Sequence, residues 1–125
     1  MPVITANGLV GHVIQVDNSS SIVQLLMRSK VSAIVQDSRA HGIVSWVDGE
    51  RFRLRFVDTN RQVKRGDRVI SSGLGGRYPK GIPIGRVTEV LQEKRDPVFQ
   101  SIYLESLVDF AGLEEVFVLS EKSKY

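Results

Sequence analysis

A chain of 125 residues, 42% of them apolar, can build one ordinary domain or two very small ones around a real core. Its uninterrupted apolar runs fall far short of the roughly 20 residues that span a bilayer, and no signal-peptide pattern opens it, so the chain as written is expected to be soluble. With no cysteine it has neither disulfides nor thiolate metal sites, and its net charge of +3 would serve a polyanion only if concentrated in one place.

Val3 and Ile4 precede the turn pair Asn7-Gly8, and residues 9–16 alternate loosely around Gly11, which predicts two short strands with a bend. Residues 17–21 are turn formers. Residues 22–27 are apolar on both sides and too short for a helix, so a strand buried on both faces is expected. Residues 31–36 and 43–47 read as further strands, separated by a polar connector at 37–42 and followed by a turn at Asp48-Gly49.

From residue 51 to 57 the alternation is strict. Arg51, Arg53 and Arg55 are expected on one wet face, with Phe52, Leu54 and Phe56 entering the core. This strand opens the most basic stretch of the chain: residues 50–68 carry seven basic residues against three acidic ones. The arginines have two readings, a solvated strand face or an anionic docking surface. A β-barrel nucleic-acid or ribosome-binding module is the general alternative for such a surface, but Phe52 and Phe56 lie on the opposite face by alternation, so no stacking platform is evident beside the arginines.

Residues 63–87, VKRGDRVISSGLGGRYPKGIPIGRV, place every backbone-bending residue between short apolar runs. Gly66-Asp67 offers a turn before a strand at 68–71. Gly73, Gly75 and Gly76 permit positive φ, and Tyr78-Pro79-Lys80-Gly81 forms a second turn before Ile82-Pro83-Ile84-Gly85 starts another strand. The glycines at 73–76 are not a phosphate loop, because no lysine, hydroxyl and helix follow at the required positions. Beyond them, residues 84–91 and 98–105 alternate as strands around a charged loop at 92–96. Asp109 is placed to cap a single helical turn, residues 116–119 finish as a strand, and residues 121–125 are expected to be a disordered tail.

Ten or so short strands without a helix-length segment predict an all-β barrel or sandwich. The order of residues in 63–87 resembles the signature of the MreC family of bacterial rod-shape-determining proteins. The resemblance continues upstream in residues 8–13 (GLVGHV) and downstream in residues 109–118 (DFAGLEEVFV), and so covers nearly the whole chain. It departs in one detail, the absence of an expected proline before Asp109. It implies a small six-stranded β-barrel of chymotrypsin-like topology without protease activity at residues 31–120, and at residues 1–30 strands of a second, incomplete barrel. Those N-terminal strands would pair with a second copy or lie disordered.

The comparison with proteases raises Ser72 beside His12, His41, Asp37 and Asp67. The glycines and acid that would surround a catalytic serine are missing, so no catalytic residue is assigned. The two histidines, far apart in sequence, are expected in loops or on the surface rather than as bases or metal ligands, and no cofactor or metal is expected. The resemblance implies a non-enzymatic scaffold of cell-wall elongation on the extracytoplasmic side of the inner membrane, in the periplasm. Its implied partners are a class B penicillin-binding transpeptidase, RodA, MreD, MreB through a membrane-proximal part, and further copies of itself, with no nucleic acid. Partner-facing candidates are Arg51, Arg53 and Arg55, together with Tyr78, Pro79 and Ile82 on an apolar loop tip. The other reading of these last three is packing of the turn against its own barrel.

Overall fold

The computed structural model describes residues 1–92 and 97–119. The strands are β1 (Pro2–Ile4), β2 (Leu9–Val16), β3 (Ser21–Leu25), β4 (Val31–Val35), β5 (His41–Asp48), β6 (Arg51–Asp58), β7 (Arg68–Ser71), β8 (Pro83–Gln92), β9 (Phe99–Ser106) and β10 (Phe117–Val118). Single 3-10 turns lie at Leu26–Arg28 and Phe110–Gly112. The fold is all-β: β4-β5-β6-β9-β8-β7 close into an antiparallel barrel, and β10-β1-β2-β3 form a separate four-stranded sheet.

Alternation fills the barrel. Val31, Ala33 and Val35 of β4, Val44 of β5, Phe52 and Leu54 of β6, Val69 of β7, Ile84 and Val87 of β8, and Ile102 and Leu104 of β9 all enter one buried cluster. Each such side chain contributes roughly 1.5–3 kcal/mol when fully buried. The interior is narrow: a β-carbon on Gly85 would sit 2.6 Å from the Glu105 carbonyl oxygen and 2.7 Å from Leu104 Cδ1.

The sheet is packed on the barrel. Leu9 of β2 and Leu26 of the first 3-10 turn belong to the barrel's own core cluster, and Gly8 lies against the Pro83 carbonyl so closely that any β-carbon would clash. A second cluster of Val3, Val10 and Val108 fastens the segment after β9 to the sheet. The N-terminal strands are therefore built into the molecule rather than disordered against it. β3 and β10 form the sheet's two edges.

Several strands differ from expectation. The segment expected as a doubly buried strand at 22–27 is the half-exposed edge strand β3, with Ile22 50% exposed, and it gives way to a 3-10 turn in which only Leu26 is buried. A strand with one neighbour and one covered face has no second apolar environment to enter. All six barrel strands lie between Val31 and Ser106, and the strand expected at 116–119 pairs with β1 instead, Val3 opposite Val118. Asp109 caps its 3-10 turn as expected, accepting from the Ala111 amide at 3.2 Å. The tail at 121–125 and the loop residues 93–96 lie outside the described residues.

Candidate partner-binding face

Along the β5 side β6 keeps register from Phe52 to Arg55, with Arg53 opposite Ser45 and Arg55 opposite Ile43; the shift between Phe52 and Arg51 adds its extra residue to β5 and not to β6, so the arginines share the outward face as predicted. Phe52 and Leu54 are fully buried. Phe56 is not. Against β9, Leu54 pairs with Ile102 and Val57 with Gln100, so Arg55 and Phe56 together oppose the single residue Ser101. This β-bulge adds one step to the alternation. Val57 takes the inward place, and Phe56, with φ of 65°, turns out to 52% exposure.

The bulge and the β6–β9 pairing together put aromatic rings among the arginines. Arg53 lies opposite Tyr103, and the guanidiniums of Arg51 and Arg53 stand 5.1 and 6.0 Å from the Tyr103 ring centroid, within cation–π range. Arg53 Nη2 donates to Ser101 Oγ at 2.6 Å, and Arg51 Nη2 pairs with Asp48 Oδ2 at 3.1 Å. The Arg55 guanidinium is 5.2 Å from the Phe56 ring, which meets Phe99 edge-on at 5.8 Å. The expectation that Phe56 lies on the face opposite the arginines is thus corrected. Tyr103 and Phe99 come from β9, whose own alternation was readable but whose pairing with β6 was not. Next to Arg51, two shallow depressions of about 320 and 180 Å³ share Thr88 and Glu105; their walls mix Arg65 and Arg86 with Glu50 and Glu105.

The loop candidates separate. Tyr78 and Ile82 are 6% and 8% exposed, so the turn packs on its own barrel and they do not form an apolar tip; Pro79 is exposed. The cause is Ser71. Its buried hydroxyl donates to the Pro79 carbonyl at 2.6 Å and accepts from the Ile82 amide at 2.8 Å, folding the turn back over the barrel. Gly73, Gly75, Gly76 and Gly81 all have positive φ, as the sequence predicts.

Tyr78 then reaches the sheet. Its hydroxyl lies 2.7 Å from His12 Nδ1 on β2, with the two rings edge to face at 5.7 Å. His12 is therefore buried at the junction of sheet and barrel, not in a loop or on the surface; His41, which opens β5, is exposed. Burial, then the nearby Arg77, then the N-terminal amine hold the His12 pKa below its ordinary value. Burial raises that of Tyr78, against a lowering from its hydrogen bond with Ser29 and from Arg77. Two further members of the protease comparison are engaged locally: Ser72 Oγ accepts from the Leu74 amide, and the Asp67 carboxylate from the Lys64 amide. Among the described residues no cluster of three or more histidines and carboxylates could hold a metal, and no helix is long and apolar enough to cross a membrane.

The sequence of residues 1–120 matches the family described as rod shape-determining protein MreC, barrel core. The chain belongs to the MreC family. The cell shape-determining protein MreC of Listeria monocytogenes is 32% identical over 131 aligned residues, which take in 99% of this chain and 44% of the relative. The chain therefore spans less than half the length of that relative. A solved structure of Listeria MreC superposes with a TM-score of 0.84 at 32% identity, over 93% of this chain and 58% of that one. The MreC of Helicobacter pylori, solved in complex with the penicillin-binding protein PBP2, has a TM-score of 0.68 at 18% identity, covering 83% and 65% of the two chains, a likeness of fold.

Proposed function

We propose that this chain is the barrel platform of a non-enzymatic cell-shape scaffold, and that the outward face of β6 and β9 docks a penicillin-binding transpeptidase. The observation that carries the reading is the gathering of Arg51, Arg53 and Arg55 with Tyr103, Phe56 and Phe99 on one solvent-facing side of a rigid barrel. Arginine and aromatic residues are the side chains that concentrate at protein interfaces. The penicillin-binding partner of the Helicobacter relative supplies the partner class. Such a partner works on the wall, which is the reason to propose an extracytoplasmic, periplasmic location. RodA, MreD, MreB and further copies of the chain belong to the same proposal as the remaining members of the assembly. A nucleic-acid track is not favoured, since it needs several aromatic faces open to successive bases, whereas Tyr103 stands beside two guanidiniums and Phe56 is the one strongly exposed ring of the group.

The test is affinity for the full-length, detergent-solubilised penicillin-binding protein of the same cell over a salt series. Replacing Arg51, Arg53 and Arg55 together with Ser is expected to weaken binding and flatten its salt dependence without unfolding the barrel, because exposed charges are screened by salt and the core of the barrel is untouched. Retained affinity would reduce the arginines to a solvated strand face.

A further inference from the structure

Within that docking reading, on which the inference rests, we propose that Phe56 is the anchor of the face. Its ring enters an apolar pocket on the protein partner while Arg51, Arg53 and Arg55 meet carboxylates around the pocket's rim.

The backbone at Phe56 is the first reason. A φ of 65° is rare for a bulky side chain, and glycine is the ordinary occupant of that region. If the fold needed only the bulge, glycine or asparagine would serve better there. If it needed the ring in the core, the ring would be inside, as Phe52 is four residues earlier in the same strand. Phenylalanine here meets neither need, and strain of this sort persists where a side chain must point in a particular direction.

The surroundings are the second reason. The ring is braced edge-on by Phe99 and lies beside the Arg55 guanidinium, so it is held in place with its remaining surface open. Leu91, which lies opposite Ser101 on the other side of β9, and Val98 are 43% and 56% exposed and extend the apolar surface. A pre-oriented aromatic within a wider apolar surface is the arrangement of an interface hot spot.

The charge around it specifies the partner. Arginines beside aromatic rings also suit an anionic lipid surface, but Arg53 is fixed to Ser101 and Arg51 to Asp48. Guanidiniums held in one orientation match the planar geometry of carboxylates better than a fluid headgroup layer, which favours an acidic rim on a protein.

The experiment compares the chain with its Phe56→Gly and Phe56→Trp variants, using the full-length penicillin-binding protein as probe and vesicles of anionic phospholipid as a second probe. Phe56→Gly is expected to melt at the same or a higher temperature, since glycine accepts the positive φ, and to bind roughly 30-fold more weakly, the effect of losing a hot-spot side chain. Its salt dependence should match that of the unsubstituted chain, and Phe56→Trp should retain most of the affinity. Undiminished binding by Phe56→Gly, with the triple arginine variant still impaired, overturns the anchor and leaves the docking reading intact. Failure of the unsubstituted chain to bind the protein probe overturns both. Phe56→Gly losing affinity for vesicles but not for the protein probe overturns the anchor in favour of lipid. Phe56→Asn, which also tolerates this φ, guards against a glycine artefact: if both variants melt well below the unsubstituted chain, the ring is structural and the proposal falls.

Discussion

Ser71 and Gly73 illustrate how single side chains decide whether the signature loop is a contact or a brace. The Ser71 hydroxyl is fully buried and satisfies both the Pro79 carbonyl and the Ile82 amide. Ser71→Ala leaves a buried amide without that partner, and is expected to cost about 1–3 kcal/mol by chemical denaturation. The neighbouring glycines should not respond alike. Gly73 and Gly76 both have positive φ, but a β-carbon on Gly73 would stand 3.1 Å from Lys80 Cβ, whereas one on Gly76 meets open space. Gly76→Val should therefore lose about 1–3 kcal/mol from backbone strain alone, and Gly73→Val more. Thermal melts that rank the two in the other order would show that the space around Gly73 gives way easily.

At the scale of the element, β6 shows how far alternation can be read. A period of two placed Arg51, Phe52, Arg53 and Leu54 correctly because β9 keeps register there and the one irregularity against β5 adds its extra residue to β5, leaving the alternation of β6 intact. It failed at Phe56 because a bulge is a relation between two strands, and nothing within β6 alone announces that Ser101 will face two residues. The same blindness hid Tyr103 and Phe99, which were legible as residues of an alternating strand but not as neighbours of the arginines. Turn chemistry carried further: the positive-φ glycines and the Asp109 cap are local, and the sequence expresses them directly. The two aromatics of β6 should accordingly differ in weight. Phe52→Ala is expected to cost about 3–5 kcal/mol by opening the barrel core, while Phe56→Ala, which removes an exposed ring, should cost far less by the same denaturation measurement.

Across the whole molecule, the sheet and the barrel meet where His12 touches Tyr78, 66 positions apart in the chain. The sequence offered no sign of this, since nothing local to either residue records the partner. Hydrophobic packing of Leu9 and Leu26 holds the junction at any pH, but His12 makes it sensitive to protons. Burial beside Arg77 and the N-terminal amine keeps the folded-state pKa below the ordinary 6.5. The unfolded chain thus takes up this proton first as the solution is acidified, so stability rises with pH through the window below 6.5. The contribution of neutral His12 is fully present above 6.5 and is lost as the pH falls from there through the lowered folded-state value. Urea unfolding of the chain between pH 7 and pH 5 should record that decline, and His12→Gln, which has no proton to gain, should flatten it. An equal slope in the variant would assign the acid sensitivity to other groups. Tyr78→Phe supplies the complementary test, because it keeps the ring contact and removes only the hydroxyl: it should lower stability at neutral pH by about 1–3 kcal/mol through the buried imidazole nitrogen it leaves unpaired.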